Sequence, residues 1–219
     1  MLSQLRALAP NPPSGELPLF ARLVSLVRRI DGDHSANVAH YAVAISRRLG
    51  LGVRRTAHVR QAAYLHDIGK AMVPEDILSK AGPLTEEELA LVRLHPAVGS
   101  TMLASAGLWP EVPLVRAHHE RFDGGGYPDG LAGEEIPLEA RILFVADSFD
   151  AMTSDRPYQR GMPVEDALDE LRRCSGTQLD PCVVDVLLGL IQDGGLVAQP
   201  VVDPSRLSPI AGSPAAVDA

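Results

Sequence analysis

The sequence contains seven histidines, and several of them lie where a polar side chain is unexpected. His66 lies at the end of the helix predicted within VRQAAYLHDIGK, where the residues three, four and seven positions earlier are alanine, alanine and valine. Its ring therefore lies on an apolar helix face. Asp67 follows it directly, and Asp147 lies on a mainly apolar stripe of ARILFVADSFDAM. A carboxylate on such a face is costly unless a positive group meets it.

Each of these residues has an ordinary explanation when it is considered alone. A single helical histidine is usually a core or surface residue, Asp67 could end a helix, and Asp147 could pair with Arg141 or Arg156. Taken together, several imidazoles and two nearly buried aspartates would leave unpaired polar groups in a helical core. A divalent metal would satisfy them, because imidazole suits zinc, iron, manganese and nickel, and a carboxylate can bridge two ions.

A polar, glycine-rich segment adds two adjacent histidines, in HHERFDGGGYPDGL at 118–131. It belongs to the longest irregular stretch of the chain, 120–137, and a long loop inside a compact helical domain is usually functional or disordered. Its three consecutive glycines allow positive φ and a close approach of the backbone to a ligand or partner. Pro128 stiffens the exit from the glycines.

The remaining pattern predicts helices that position these residues. Apolar residues recur at spacings of three and four over 17–30, 33–49, 53–67, 85–94, 96–106, 111–119, 138–152, 163–174 and 181–191. Thr85 with Glu88 predicts a capping box, and Gly50 and Gly69 suit helix ends. No segment alternates convincingly as a strand would. We therefore expect an all-α fold, with one compact multi-helix domain at 17–195 between flexible tails at 1–16 and 196–219.

Composition excludes several classes of protein. The 219 residues carry a net charge of −8, which argues against a protein that binds nucleic acid polymers through a basic face. No apolar run reaches the roughly 18 to 20 residues that a membrane span requires. Cys174 and Cys182 lie eight apart without a CxxC spacing, so a disulfide framework or thiolate zinc site is not expected. We expect a cytoplasmic protein.

The ordered motifs resemble a known family. His34, the pair His66 and Asp67, and Asp147 resemble the H…HD…D signature of the HD superfamily of metal-dependent phosphohydrolases. The blocks HDIGK, HPAVGSTML, HHE…GYP and D…DAMTSDRPYQ resemble, in order and spacing, the narrower HD-GYP domain over roughly residues 20 to 190. The implied fold is the helical HD type.

The resemblance implies a binuclear centre. It assigns His34, His66, Asp67 and Asp147 to a first ion, and Asp67 as a bridge to a second ion with His95, His118 and His119. The ions would be iron or manganese in preference to nickel or zinc. His40 and His58 match no ligand position.

Three residues are implied to contact the substrate. Lys70 would bind a phosphate oxygen and assist catalysis, Arg156 would contact the substrate phosphate, and Tyr127 is a candidate for stacking on a guanine base. Other aromatic candidates for stacking are Phe122, Tyr158 and Trp109.

Two positions depart from the family pattern. Gln159 replaces a basic residue, which removes one potential phosphate contact. Ile30 replaces a glutamate that helps to hold a third ion in some members, and Asp31 and Asp33 have the wrong helical phase to substitute for it. We therefore expect two ions rather than three.

The implied reaction is hydrolysis of the bacterial second messenger cyclic di-GMP. A hydroxide shared by the metals would open the ring to linear pGpG, with GMP as a further product. One alternative is a noncatalytic module that binds cyclic di-GMP or docks onto GGDEF-domain proteins through the GYP loop. Another is a different HD-type phosphohydrolase that acts on mononucleotides or guanosine tetraphosphate. The oligomeric state is not predicted.

Overall fold

The computed structural model of the protein describes residues 18–155 and 160–196. The first half contains helices α1 (Leu19–Asp31), α2 (His34–Arg48), α3 (Val53–Leu65), α4 (Glu75–Leu78), α5 (Glu86–Val92) and α6 (His95–Ser105). The second half contains α7 (Val112–Ala117), α8 (Leu138–Thr153), α9 (Val164–Cys174) and α10 (Pro181–Gln192). Short 3-10 helices occupy Ile68–Met72, Trp109–Glu111 and Gly133–Glu135. No strand is present in these ranges, so the expected all-α fold is confirmed.

Helix α2 packs extensively against both α3 and α8. Alanines at 36, 39 and 42 are buried and allow the neighbouring helices to approach closely. The fully buried rings of Tyr41 on α2 and Phe149 on α8 meet edge to face, with centroids 5.1 Å apart. Pairs with this geometry stabilise a core beyond the area that they bury. The core therefore fixes α2, α3 and α8, the helices next to the candidate ligands, relative to one another.

The predicted helices are found with small differences at their ends. The capping box is confirmed, since Glu88 N donates to Thr85 Oγ1 and Thr85 N donates to the Glu88 carboxylate. Gly50 adopts a positive φ after α2, as expected of a helix end. The prediction for Gly69 is wrong, because α3 stops at Leu65 and Gly69 lies inside the following 3-10 helix. The short helix α4 was not predicted.

Arg141 takes a structural role rather than a place beside Asp147. Its guanidinium donates to the Ile136 carbonyl and forms an ion pair with Asp180. The Asp180 carboxylate also accepts from backbone N–H groups at the start of α10, so it caps that helix. The pair therefore joins the starts of α8 and α10.

Other sequence predictions concern the cysteines, membrane spans and the ends of the domain. Cys174 and Cys182 are both free. Within 18–155 and 160–196, no helix combines the length and apolar character needed to cross a membrane, and the cytoplasmic location stays a prediction. The predicted tails at 1–16 and 196–219 lie outside the described ranges, apart from residue 196, and so does residue 17 of the predicted domain. Arg156, Tyr158 and Gln159 lie outside them too.

Candidate metal centre

The seven predicted metal ligands come together on five elements of the fold. His34 begins α2, His66 and Asp67 follow the end of α3, His95 begins α6, and Asp147 lies within α8. The other two, His118 and His119, follow the end of α7. Five ring contacts with centroid distances of 4.2 to 5.4 Å link all five histidines. Residues separated by 113 positions in the sequence therefore form one cluster.

Three of these histidines share one hydrogen-bonding pattern. The Nδ1 atoms of His66, His95 and His118 each lie 2.7 Å from the backbone carbonyl oxygen three residues earlier. A carbonyl oxygen only accepts hydrogen bonds, so each Nδ1 carries the proton. With Nδ1 as the donor, the nitrogen that a metal ion would bind in each of these rings is Nε2.

The side chains form two groups of potential ligands, connected by Asp67. Ligand atoms of His34, His66 and Asp67 lie within 4.8 Å of one another, and a second group with the same spacing consists of His95, His118 and His119. Asp67 Oδ2 lies 3.4 Å from His66 Nε2, while its Oδ1 lies 3.2 Å from His95 Nε2. Each carboxylate oxygen thus faces one group, as a bridging ligand would require.

Asp147 completes the first group. Its Oδ1 lies 3.0 Å from His34 Nε2 and 4.0 Å from His66 Nε2. Burial would raise the pKa of Asp147, but the hydrogen bond from His34 and the nearby imidazoles outweigh it, so the pKa falls well below its usual value. The carboxyl group is therefore ionised at neutral pH and offers negative oxygens to a cation.

The residues fit a metal ion by a direct structural test. His66 Nε2 and Asp67 Oδ1 are both buried and have no hydrogen-bond partner. Buried polar atoms without partners are costly, and a divalent cation that accepts both lone pairs would remove that cost. Nitrogen and carboxylate oxygen together suit iron, manganese, nickel and zinc. The imidazoles and carboxylates can thus hold a metal ion without a cysteine ligand.

The protonation states also suit metal binding. Burial lowers the pKa of His95 and of His119 to about 4, and it lowers the pKa of His118 well below its ordinary value. These rings are neutral at pH 7 and keep a free lone pair. Burial likewise lowers the pKa of His34, but hydrogen bonds to Asp147 and Asp150 outweigh it and raise the pKa to about 10. An ion bound at His34 Nε2 would therefore replace a proton.

Lys70 lies directly beside the candidate bridging carboxylate. It is located in the 3-10 helix that follows Asp67, and its Nζ is 2.6 Å from Asp67 Oδ2. Burial lowers the pKa of Lys70, but the attraction and hydrogen bond of Asp67 outweigh it and raise the pKa. The side chain keeps 26% of its area exposed, so a charged ammonium is present at the edge of the metal centre.

The close approach of two glycines places the 3-10 helix against α6. A Cβ atom on Gly69 would lie 2.0 Å from the backbone oxygen of His95 and 2.7 Å from the backbone nitrogen of Gly99. Only a residue without a side chain fits there. This contact brings Asp67 and Lys70, on one side, next to His95 on the other.

The glycine-rich segment is held by a buried carboxylate. Glu120 accepts hydrogen bonds from the backbone N–H groups of Asp129, Gly130 and Leu131, at 2.6 to 3.2 Å. The Tyr127 ring lies beside that of His119, with centroids 5.1 Å apart and planes inclined by 30°. The predicted substrate contact Tyr127 is therefore next to the second group of ligands.

Two carboxylates near the site are not among the ligands predicted from the sequence. Asp150, three residues after Asp147, is fully buried and lies 2.6 Å from His34 Nδ1. Its spacing on the same helix face as Asp147 was the available signal. Asp31, whose helical phase was predicted to be wrong for holding a third ion, nevertheless has a buried Oδ1 without a hydrogen-bond partner, and His66 and His34 interact with its charge. Burial raises the pKa of Asp31.

The neighbouring Asp33 behaves as expected, and the remaining histidines lie outside the cluster. Asp33 is exposed and pairs with Arg28 at 2.7 Å. His58 forms a separate pair with the buried Glu111, and His40 is partly buried next to Tyr41. Neither histidine belongs to the two groups of potential ligands.

Comparisons with known proteins identify similar sequences. A family model described as HD domain matches residues 16–183. The chain is 42% identical to a cyclic di-GMP phosphodiesterase response regulator of Xanthomonas campestris, over 79% of this chain and 47% of that protein. It is 40% identical to a 3′3′-cGAMP-specific phosphodiesterase of Vibrio cholerae, over 74% of this chain and 35% of that protein. The chain thus spans less than half the length of these relatives.

Solved structures give the same picture of the fold. A cyclic GMP-AMP-specific phosphodiesterase of V. cholerae matches with a TM-score of 0.52 and 32% identity, over 87% of this chain and 46% of that chain. An HDG"Y"P protein from Bdellovibrio bacteriovorus matches with a TM-score of 0.61 and 19% identity, over 79% of this chain and 60% of that chain. The latter similarity supports the fold alone.

Proposed function

The chain belongs to the HD domain family and to its HD-GYP group, and on this basis we propose that it is a metal-dependent phosphodiesterase that hydrolyses cyclic di-GMP. The observation that carries the proposal is the position of Asp67. Its two carboxylate oxygens face different groups of ligands, at 3.4 Å from His66 Nε2 and 3.2 Å from His95 Nε2. Such an arrangement suits a pair of ions that share a ligand.

The proposed ligand sets follow from these contacts. Asp67 would bridge the two ions. The first ion would also be held by His34, His66 and Asp147, and the second by His95, His118 and His119. We propose two ions, iron or manganese in preference to nickel or zinc. When bound, divalent ions supply a nucleophile at neutral pH and stabilise negative charge on phosphoryl oxygens.

Other side chains would bind and orient the substrate. The Lys70 ammonium is charged and partly exposed beside Asp67, so it can attract a nonbridging phosphate oxygen. The Tyr127 ring, beside His119, offers a face on which a base can stack. Arg156 is proposed as a second phosphate contact from its motif alone. These positive groups matter because the chain as a whole carries a charge of −8 and would otherwise repel a dinucleotide.

The choice of substrate rests on the relatives. Proteins 40 to 42% identical to this chain carry the name cyclic di-GMP phosphodiesterase, while others at 33 to 40% are named for 3′3′-cGAMP. Both substrates contain the phosphodiester ring that a binuclear centre would open. We propose cyclic di-GMP as the preferred substrate, with pGpG as the first product and GMP as a further one.

A turnover assay with a metal count tests this function. Protein purified without oxygen and loaded with iron(II) or manganese(II) is expected to convert cyclic di-GMP to pGpG or GMP, measured by chromatography, with two ions per chain in the same sample. The two groups of ligands predict this count of ions. The assay repeated with 3′3′-cGAMP measures the preference between the two dinucleotides. Chelator-treated protein, in which turnover should be lost and then restored by added metal, is the control.

Each result of that assay has a defined meaning. Two bound ions without turnover of either dinucleotide would reject the enzyme and favour the binding module. A count of three tightly held ions would reject the proposed stoichiometry, and Asp31 would then be the first side chain to replace, because its Oδ1 has no hydrogen-bond partner.

We further propose that the glycine-rich loop docks onto GGDEF-domain proteins. Gly125 is exposed, and the atoms nearest to a Cβ there belong to the side chains of Arg121 and Asp123, so a larger residue displaces side chains before backbone and changes the loop surface. Gly125→Gln is expected to weaken the capture of a purified GGDEF domain by about 10-fold, since a few lost contacts are worth about 1.4 kcal/mol. Pull-down titration measures this loss.

A matched substitution separates docking from general damage. Gly82 is also exposed, with open space around its Cβ position, so Gly82→Gln should leave capture unchanged. Hydrolysis of bis(p-nitrophenyl) phosphate should continue in both variants. Equal capture by Gly125→Gln and the unaltered protein would reject the docking role.

A further inference from the structure

We propose that Asp150 is a positioning residue that orients His34 and strengthens its bond to the first ion, an inference that rests on the proposed metal centre. Asp150 is fully buried within α8, and its Oδ2 lies 2.6 Å from His34 Nδ1. On the other side of the ring, His34 Nε2 lies 3.0 Å from Asp147 Oδ1. The imidazole is therefore held between two carboxylates of the same helix, with Nε2 turned toward the ligand group.

The contact between Asp150 and His34 determines which nitrogen of His34 can bind a metal ion. An ionised carboxylate only accepts hydrogen bonds, so the proton of the Asp150 contact belongs to His34 Nδ1. Nε2 is then the atom left for coordination. A carboxylate that holds the far nitrogen of a metal-bound imidazole fixes both the tautomer and the ring plane, and it makes the ring a stronger donor.

His34 differs in this respect from three other proposed ligands. His66, His95 and His118 each have a neutral backbone carbonyl at Nδ1, whereas His34 has a charged group. Hydrogen bonds to an ionised partner are roughly twice as strong as those between neutral groups. Asp150 therefore gives the first group of ligands one imidazole that is held by a charge-assisted hydrogen bond, in contrast to His66, His95 and His118.

The start of α2 depends on this contact as well. Asp33 occupies the N-cap position, but its side chain makes no capping hydrogen bond and pairs with Arg28 instead. The first residue of the helix, His34, is thus held from α8 through Asp150 rather than by a local cap. The second oxygen of Asp150 accepts from Ser154 Oγ at 2.9 Å, so both oxygens have fixed partners.

The experiment compares two substitutions that separate charge from orientation. In Asp150→Asn, the amide oxygen can still accept from His34 Nδ1, so the ring keeps its orientation while the negative charge is removed. Asp150→Ala removes both. Manganese(II) alone is titrated into each chelator-treated variant, in competition with a chelating dye. We expect the affinity of one of the two sites to fall about 10-fold in Asp150→Asn and about 100-fold in Asp150→Ala, the range found when such partners are removed, while the other site keeps its affinity.

Glu111 supplies a control, because it makes the same kind of carboxylate–imidazole contact with a histidine outside the ligand groups. It is buried and its Oε1 lies 2.8 Å from His58 Nδ1, and His58 precedes His66 by two turns of α3. Glu111→Gln should therefore lower thermal stability much as Asp150→Asn does. The affinity for manganese(II) should nevertheless stay within about twofold of the unaltered protein, because His58 is not in either ligand group.

The possible results distinguish this inference from the proposed function. Wild-type affinity in folded Asp150→Asn and Asp150→Ala, as judged by circular dichroism, would overturn the positioning role while the metal centre remained. An equal loss of affinity in Glu111→Gln would overturn it too, because the effect would then reflect stability alone. Failure of the unaltered protein to bind manganese(II) would overturn the metal centre and, with it, this inference.

Discussion

Replacement of Asp67 by alanine is expected to abolish hydrolysis of cyclic di-GMP, with a loss of at least about 1,000-fold in kcat. One carboxylate oxygen of Asp67 faces each of the two ligand groups. Its removal would weaken both ions, and metal ions stabilise a phosphoryl-transfer transition state by several kcal/mol. Because each 1.36 kcal/mol corresponds to a factor of ten in rate, about 4 kcal/mol accounts for this loss. Turnover by chromatography and metal per chain are measured on the same samples.

A second substitution excludes loss of folding as the cause. Asp67→Ala also removes the partner of the Lys70 ammonium, and breaking a buried pair is destabilising. Asp67→Asn keeps the size of the side chain and an oxygen near Lys70, yet it lacks the charge that bridges two cations. We expect it to fold and to lose metal and turnover nearly as completely. Two bound ions with unaltered turnover in either variant would show that Asp67 does not bridge.

The sequence was sufficient to predict the helical fold and to propose a set of ligands. Helix-period patterns located most of the helices, because each helix buries one apolar face. The motifs pointed to His34, His66 and Asp147, and the structure places Asp147 Oδ1 3.0 Å from His34 Nε2 and 4.0 Å from His66 Nε2. Contacts between elements were the missing information. The spacing of Asp150 from Asp147 places it on the same helix face, but it does not indicate that Asp150 faces His34, which is 116 positions away in the sequence.

The end of α3 illustrates why local signals failed near the site. The apolar period continues to Asp67, so the sequence predicts a helix there, but the structure ends α3 at Leu65 and continues with a 3-10 helix. A tertiary contact decides this, since Gly69 lies directly on the backbone of α6. Tertiary packing also explains the buried position of Asp31 near the ligands. As the last residue of α1, it is placed by the packing of α1 against α2 and α3 rather than by the phase of an isolated helix.

The contact of Gly69 with α6 leads to the second large expected effect. In Gly69→Ala, the new Cβ would lie 2.0 Å from the His95 backbone oxygen, where only backbone can move to make room. Overpacking of this kind costs about 3 kcal/mol or more in the free energy of unfolding. For a chain of this size, that loss lowers Tm by about 6 to 12 °C. Calorimetry of chelator-treated protein measures it without a contribution from bound metal.

A glycine in open space provides the matched comparison. Gly189 lies inside α10 with no atom within 4 Å of a Cβ position, so Gly189→Ala should raise stability by about 1 kcal/mol through helix propensity. The two alanine substitutions thus have opposite expected signs. Gly69→Ala should also weaken manganese(II) binding, because any retreat of α6 carries His95 away from Asp67, now 3.2 Å distant. If Gly69→Ala matched Gly189→Ala in both stability and affinity, the close packing of the two elements would not be what holds the ligand groups together.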